Sequence, residues 1–248
     1  MFNVHEHQNV AIEMESSLNL GQHDAFNGVL QAVQSNNGAV FFFDGPGRLG
    51  KIYVYNALLS WVHGEGKIAL ACASSGIVAL LLSNGRTDRS RFKIPIDVCN
   101  TLTCNIKVNS TLAELLRQTS LIVWNEAPMV SKYAFEALER TLRDIMWLDS
   151  LSGGKVILMR GDFRQVLPVI LKGRQEDIVD ESLCNSFNWR KTQVLRFTEN
   201  MRLVNCGNVQ CESNFAKWVL DIDNGNVATH DSSDDIALHI HMLLEESA

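Results

Sequence analysis

The sequence predicts an α/β fold, with a mostly parallel sheet that is covered by helices on both faces. Two observations predict this class. Short, almost uninterrupted apolar runs alternate with longer stretches of helical spacing, and such runs are typical of parallel strands that are buried on both faces. A length of 248 residues and a hydrophobic content of 46% also suffice for one large core or at most two small ones.

The first part of the chain predicts a strand, a glycine loop and a helix in succession. Residues 1–17 are polar and lack periodicity, and we interpret them as an N-terminal arm. Apolar residues at helical spacing predict a first helix over residues 22–35. The short aromatic run 39–43 predicts a buried strand, which breaks at a turn with two glycines before a helix over residues 51–63.

The same alternation continues to about residue 222. Further strands are predicted over residues 67–73, 121–124, 155–159 and 193–197, and further helices over residues 76–82, 111–118, 133–146 and 215–222. Composition alone predicts disorder for residues 224–235, which are rich in Asn, Ser and Asp. The predicted organisation is therefore an arm over 1–17, a domain over 18–222 and an acidic tail over 223–248.

The formal net charge of −6 is unevenly distributed. Seven of the 28 acidic residues follow Lys217, and none of the 22 basic residues does. The chain up to Lys217 is nearly neutral. Its charge neither indicates nor excludes a basic groove, because phosphate binding depends on where Lys and Arg cluster. No window approaches the roughly 18 apolar residues of a membrane span, so we expect no membrane partner. Six cysteines without a Cys-x-x-Cys pair favour free thiols.

Residues 45–52 have the spacing of a phosphate-binding loop. In such a loop, backbone N–H groups surround a phosphate and a lysine, here Lys51, reaches its outer oxygens. The next position should carry a Ser or Thr hydroxyl for Mg²⁺, and Ile52 has none. A plain glycine turn between a strand and a helix would also account for this segment taken alone.

Two further apolar runs are followed by polar side chains. Asn125 and Glu126 follow the run 121–124, and the segment 161–165 follows the run 155–159. Doubly wound sheets bind ligands at this carboxyl edge. In a P-loop ATPase, an Asp in the place of Asn125 holds the metal, and the following Glu orients or deprotonates the attacking water. Taken alone, Asn125 could equally well be a residue that only caps the next turn. The segment 161–165, taken alone, could be a surface turn with an exposed salt bridge.

Seven short segments together resemble the Pif (petite integration frequency) family of DNA helicases, in particular its Helitron-like branch. They follow the family's order and spacing at residues 44–51, 73–77, 85–87, 90–92, 124–129, 161–168 and 200–203. The resemblance covers residues 18–222 and implies the RecA-like P-loop fold of a first motor domain. It also implies ATP and Mg²⁺ as cofactors, single-stranded DNA as partner, and an ATP-dependent helicase of DNA repair, recombination or telomere maintenance in the nucleus or mitochondrion.

The resemblance assigns roles residue by residue. Gln22 would read adenine and Lys51 would contact the outer phosphates. Glu126 would act on the catalytic water, Gln165 would sense the terminal phosphate and Arg202 would help to neutralise it. The implied ATP-binding set is Gln22, Gly45, Gly47, Gly50 and Lys51, and the residues in segments that touch single-stranded DNA are Ser75, Thr87, Ser90 and Phe92.

The sequence also departs from the family pattern. The family's Gly-Thr-Gly-Lys-Thr is replaced by Arg48-Leu49-Gly50-Lys51-Ile52, and its Asp-Glu by Asn125-Glu126, so both protein contacts to Mg²⁺ are altered. Asp88-Arg89 replaces an Ala-His pair beside the DNA, and Arg160 replaces a glycine. We expect weakened Mg²⁺ binding and impaired hydrolysis. A second motor domain in trans is a further candidate partner, and the sequence leaves open whether one is supplied.

Two functions remain open from the sequence. One is an impaired helicase motor domain, and the other is a pseudo-helicase that binds nucleotide or DNA without turnover. A small-molecule kinase with a P-loop is disfavoured, because the segments 161–168 and 200–203 would have no role in it.

Overall fold

The computed structural model describes residues 3–45, 49–82, 84–164, 168–170, 173–197, 218–219, 221–222 and 225–226. The chain divides into two compact units, Met1–Asn200 and Met201–Ala248. In the second unit, Trp218, Val219, Asp221 and Ile222 are helical and belong to the helix predicted over 215–222. The rest of that helix, and most of the segment 224–235, lie outside the described residues.

A parallel sheet of six strands forms the centre of the first unit. The strands are β1 (Ala39–Asp44), β2 (Ile68–Ala73), β3 (Arg86–Thr87), β4 (Thr119–Asn125), β5 (Val156–Arg160) and β6 (Thr192–Arg196). Their order across the sheet is β3-β2-β4-β5-β1-β6, and every neighbouring pair is parallel. The pairing sets Arg160 opposite both Asn125 and Phe43. The predicted parallel sheet is confirmed.

Helices in the described ranges precede the first strand or connect successive strands. They are α1 (Val4–Ser16), α2 (Leu20–Ser35), α3 (Lys51–Gly64), α4 (Gly76–Leu80), α5 (Asp88–Phe92), α6 (Thr111–Gln118), α7 (Lys132–Met146) and α8 (Gln175–Asp180). The five helices predicted between residues 22 and 146 are confirmed, whereas β3, α5 and α8 were not predicted. None of the described helices is both long and apolar enough to cross a membrane.

Helix α1 corrects the prediction of an unpatterned arm over residues 1–17. It begins at the cap residue Asn3 and packs against α3. Gln8 donates from its side-chain amide to the carbonyl oxygen of Gly64 at 2.9 Å, and the rings of His7 and His63 lie 5.1 Å apart. Only Ala11 of this helix is buried. The sequence therefore carries no apolar stripe, and the helix depends on contacts that periodicity does not reveal.

The sheet separates two apolar cores. Alternate side chains of β1 point to opposite faces, so that Phe41 and Phe43 pack with α2 and α3 while Val40 and Phe42 pack with α6 and α7. All four side chains are buried. Burial on both faces explains the continuous apolar runs, and it leaves the polar residues to the ends of the strands.

Candidate nucleotide-binding site

The three polar segments recognised in the sequence meet at the carboxyl edge of the sheet. β5 lies between β1 and β4. Asp44 therefore ends one neighbouring strand, Asn125 ends another, and Arg160 ends the strand between them. Helix α3 starts at the same edge. This is the position at which open parallel sheets bind their ligands.

The loop between β1 and α3 requires glycine at both of its described ends. Gly45 has a φ of 137°, and a Cβ there would lie 2.6 Å from Leu49 Cδ1 and 2.9 Å from the carbonyl oxygen of Phe197. Gly50 has a φ of 72° and caps α3 in the left-handed conformation. Residues other than glycine rarely adopt these φ angles. Gly47, the third predicted loop glycine, lies outside the described residues.

Lys51 is the first residue of α3 and lies at the loop. Its ammonium donates to the carbonyl oxygen of Gly45, and the side chain is buried. Burial and the charge of Arg160 lower the pKa of Lys51 to about 8, against the opposing effects of Asp162 and Asp44. An anionic phosphate at this position would favour the charged ammonium.

Gln22 connects the start of α2 to the same loop. Its side-chain amide nitrogen donates to the carbonyl oxygen of Leu49 at 3.1 Å. Its amide oxygen accepts from the backbone N–H of Asn19 at 3.1 Å, and the Asn19 side chain accepts in return from the backbone N–H of Gln22 at 2.8 Å. This capping box holds a buried Gln22 against the loop. The adenine-reading role of Gln22 stays a prediction.

Asn125 and Glu126 lie side by side at the end of β4 and differ in their hydrogen bonding. Asn125 is buried, and its Oδ1 accepts from the backbone N–H of Glu126 at 3.1 Å and from Arg160 Nη1 at 2.7 Å. Glu126 has a φ of 56°, and its buried Oε2 has no hydrogen-bond partner in the described part of the chain. Backbone strain and an unpaired buried oxygen are both costly, and such features concentrate at functional sites.

Arg160 reaches from β5 to both β4 and α3. Its guanidinium carbon lies 5.9 Å from the ring centroid of Tyr55. Tyr55 is buried and follows Lys51 by one turn of α3. Burial lowers the pKa of Arg160, against the opposing effects of Tyr55 and Glu126. The sequence marked Arg160 only as a replacement for glycine. Its bond to Asn125 follows from the pairing register of β4 and β5, which the sequence did not supply.

The segment after β5 is fixed by close packing. A Cβ on Gly161 would lie 2.1 Å from Cδ of Pro128, so glycine is needed for this approach. The ring of Phe163 packs 5.0 Å from that of Phe42 and 5.5 Å from that of Trp189, measured between centroids. These contacts place Asp162 and Arg164 at the edge of the sheet.

Asp162 adds a carboxylate near the loop. Its Oδ1 accepts from both the backbone N–H and Nε of Arg164, each at 3.0 Å, and its charge acts on Lys51. Gln165 and Arg202, for which the family resemblance implies contact with the terminal phosphate, lie outside the described residues.

A family model of PIF1-like helicases matches residues 17–233. The chain belongs to this family. The ATP-dependent DNA helicase Pif1 of Campylobacter jejuni is 27% identical over 188 residues, which cover 67% of this chain and 40% of that protein. The family assignment agrees with the resemblance seen in the sequence.

Solved Pif1 structures share the fold. Bacteroides Pif1 in complex with ADP-AlF4 is 23% identical with a TM-score of 0.66, over 86% of this chain and 47% of that one. Bacteroides Pif1 with ADP-AlF3 and single-stranded DNA is 25% identical with a TM-score of 0.64, over 82% and 46%. Pif1 of Candida albicans is 20% identical with a TM-score of 0.63, over 85% and 45%. The RecA-like fold is confirmed, and the chain spans less than half the length of these relatives.

The residues that the PIF1-like pattern assigns to DNA lie at the carboxyl ends of β2 and β3. Ser75 and Thr87 cap α4 and α5 by accepting from backbone N–H groups at 3.3 Å. Ser90 is exposed. Phe92 is fully buried, with its ring centroid 6.0 Å from that of Trp124. This burial favours an anchoring role for Phe92 over base stacking. The four residues stay a predicted DNA-binding set.

The residues present do not fit the Mg²⁺ ion that the PIF1-like pattern implies. Ile52 is 48% exposed and offers no oxygen. Asn125 is uncharged, and its Oδ1 already accepts from Arg160. Mg²⁺ prefers oxygen ligands, carboxylates above all, in near-octahedral geometry. Within the described ranges, no three His, Cys, Asp or Glu side chains group in a way that could hold a metal ion.

Proposed function

We propose that this chain is a nucleotide-binding motor domain of the PIF1-like helicase family that hydrolyses ATP slowly or not at all. One contrast within the site carries the proposal. The loop around Lys51 has the features of a phosphate site, whereas Asn125, at the position of the family's metal-holding Asp, accepts a hydrogen bond from Arg160. Binding needs the first feature, and hydrolysis in P-loop ATPases needs a metal as well.

The loop supports binding of a nucleoside di- or triphosphate. Lys51 donates to the neutral carbonyl of Gly45, and a phosphate oxygen would be a stronger acceptor because charge-assisted hydrogen bonds are roughly twice as strong. Helix α3 begins at this loop, so that the positive end of its dipole lies there. Glu126 is near enough to influence Arg160 and remains available to orient a water.

We also propose single-stranded DNA as a partner. The 25% identical Bacteroides Pif1 is described in complex with it. In this chain Ser75 follows β2, Thr87 ends β3 and Ser90 follows it, so that the three residues lie at the same edge of the sheet as the nucleotide loop. Arg89 adds a positive charge there, although its guanidinium donates to the carbonyl oxygens of Pro95 and Ile96. Unwinding would in addition need a second motor domain, because two domains must grip the strand alternately.

Titration of a fluorescent ADP analogue tests the nucleotide site. Lys51→Ala should weaken binding by more than about tenfold, since it removes a charged hydrogen-bond donor. Lys107→Ala removes an exposed lysine elsewhere and should leave the affinity unchanged. ATP turnover, with and without single-stranded DNA, should stay far below that of a full-length relative. Equal affinity of Lys51→Ala and the unaltered chain would refute the site, and turnover at the relative's rate would refute the impairment.

A further inference from the structure

A fixed positive charge lies beside Asn125, the residue that replaces the metal-holding carboxylate of the family pattern. Arg160 Nη1 donates to Asn125 Oδ1 at 2.7 Å, and the guanidinium faces the Tyr55 ring on α3. Lys51 lies one turn before Tyr55 on the same helix. Arg160 and Lys51 are therefore two cations beside the first turn of α3, and the charge of one acts on the other.

The charge of Arg160 is only partly compensated. The groups that contact its guanidinium, the Asn125 amide and Tyr55, are both neutral. The buried Nε has no hydrogen-bond partner among residues that the structure describes, and the same holds for Glu126 Oε2. A buried ion without a bonded counterion is unfavourable. An anion that reached this guanidinium would therefore be bound strongly.

We propose that Arg160 takes over the role of the metal and binds a phosphate group of the nucleotide directly. The proposal rests on the proposed function, because it requires a nucleotide in the Lys51 loop. Arginine suits the task, since its planar fork of N–H donors matches phosphate oxygens and is always charged. A divalent cation beside Asn125 would instead be repelled by the guanidinium. The chain thus binds nucleoside di- or triphosphates without Mg²⁺.

Titration with ADP in EDTA and in excess Mg²⁺ tests this. For the unaltered chain, the two Kd values should agree within about threefold. This is a smaller difference in binding free energy than the roughly 1.4 kcal/mol of a tenfold change. Arg160→Gly, which restores the family residue, should weaken binding in EDTA by at least about tenfold, as expected for a lost charged donor. Arg86→Gly changes an exposed residue of the same type on the edge strand β3, which β2 and β4 separate from β5, and should leave the ADP affinity unchanged.

Arg160→Lys serves as a second variant should the glycine variant not fold, because it keeps the charge and loses the fork. It should bind ADP in EDTA with an affinity between those of the unaltered chain and Arg160→Gly. Combining Ile52→Thr, Asn125→Asp and Arg160→Gly should convert the site, so that Mg²⁺ then strengthens ADP binding by more than about tenfold.

A measurement without nucleotide tests the geometry. Asn125→Asp places a carboxylate on the guanidinium, so it should raise the thermal midpoint when Arg160 is present and lose that gain in the Arg160→Gly background. Equal effects of Asn125→Asp in both backgrounds would overturn the inference, as would unchanged ADP affinity of Arg160→Gly in EDTA. Absence of ADP binding by the unaltered chain would instead overturn the proposed function, and this inference with it.

Discussion

The two halves of the candidate site have diverged in different ways. The phosphate loop keeps glycines at φ angles of 137° and 72° and a lysine at the start of α3, although Arg48 replaces a glycine of the family pattern. The opposite half, at the ends of β4 and β5, differs from the family pattern in its charges, with Asn125 and Arg160 in place of Asp and Gly, and the two side chains are hydrogen-bonded to each other. One half is constrained by conformation and the other by chemistry.

This difference shows which substitutions a RecA-like fold tolerates. A change that forces the backbone out of a left-handed conformation is resisted by several neighbouring atoms at once. A change from carboxylate to amide is nearly isosteric, and a new guanidinium can lie against a buried tyrosine and an amide oxygen. Substitutions of the loop glycines should therefore lower the stability of the chain even without a ligand. Substitutions at the ends of β4 and β5 should change ligand binding more than stability.

Gly45→Ala should have the largest effect on stability. The methyl group would meet Leu49 Cδ1 at 2.6 Å and the Phe197 carbonyl oxygen at 2.9 Å, at a φ of 137°. We expect the free energy of unfolding to fall by about 3 kcal/mol or more, because strain and overpacking add, and ADP binding to be lost. Urea denaturation measures the first and fluorescence titration the second.

Gly66→Ala is the matched control. Gly66 also has a positive φ, of 70°, but a Cβ there would have no atom within 4 Å. It should cost only the left-handed strain, about 1–2 kcal/mol, and should not change the ADP affinity. If Gly45→Ala and Gly66→Ala lower the unfolding free energy equally, the surroundings of the loop do not constrain it. The contrast between the two halves of the site would then be wrong.

Asp88→Asn should have a smaller effect of opposite sign. Asp88 is 2% exposed, its Oδ1 accepts from the backbone N–H of Arg89, and its Oδ2 lacks a hydrogen-bond partner within the described ranges. Burial raises the pKa of this carboxyl above its ordinary value of 3.8. Asparagine keeps the acceptor and removes the charge, so we expect a gain of about 1 kcal/mol in unfolding free energy near pH 7.

The gain from Asp88→Asn should depend on pH. Because the pKa of Asp88 is raised in the folded chain, the folded state binds the proton more tightly, and the carboxyl destabilises the fold increasingly as pH rises above 3.8. The advantage of the variant should thus shrink towards pH 4 and be complete above the folded pKa. Denaturant titrations at about pH 4.5 and pH 7.5 compare the two. A gain that grows on acidification would contradict a buried, charged Asp88.

The same contrast explains what the sequence could predict. The run that forms β1 is recognisable because it is short, apolar and aromatic, and α2 because its apolar residues follow helical spacing. Gly45, Gly50 and Lys51 are recognisable because a loop motif has fixed spacing. The two-residue strand β3 is too short to show a period, and α1 buries only Ala11. The position of Arg160 beside Asn125 depends on the register between two strands that are 30 residues apart in sequence, which no local pattern encodes.

Ile52→Thr should have the smallest effect. Ile52 is 48% exposed, and Ile and Thr have similar helix propensities, so the unfolding free energy should change by less than about 0.5 kcal/mol. Val54→Thr, at a fully buried position of the same helix, is the control and should cost about 1–3 kcal/mol because it buries a hydroxyl. The new hydroxyl at residue 52 should not recruit a metal while Arg160 remains, so Mg²⁺ should change the ADP affinity of Ile52→Thr by less than about threefold.

A loss of unfolding free energy as large as that of Val54→Thr would give Ile52 a packing role and would contradict the contrast between the two halves of the site. A strong Mg²⁺ response from this single change would mean that the hydroxyl alone, and not the charge at Arg160, decides whether the site accepts the ion.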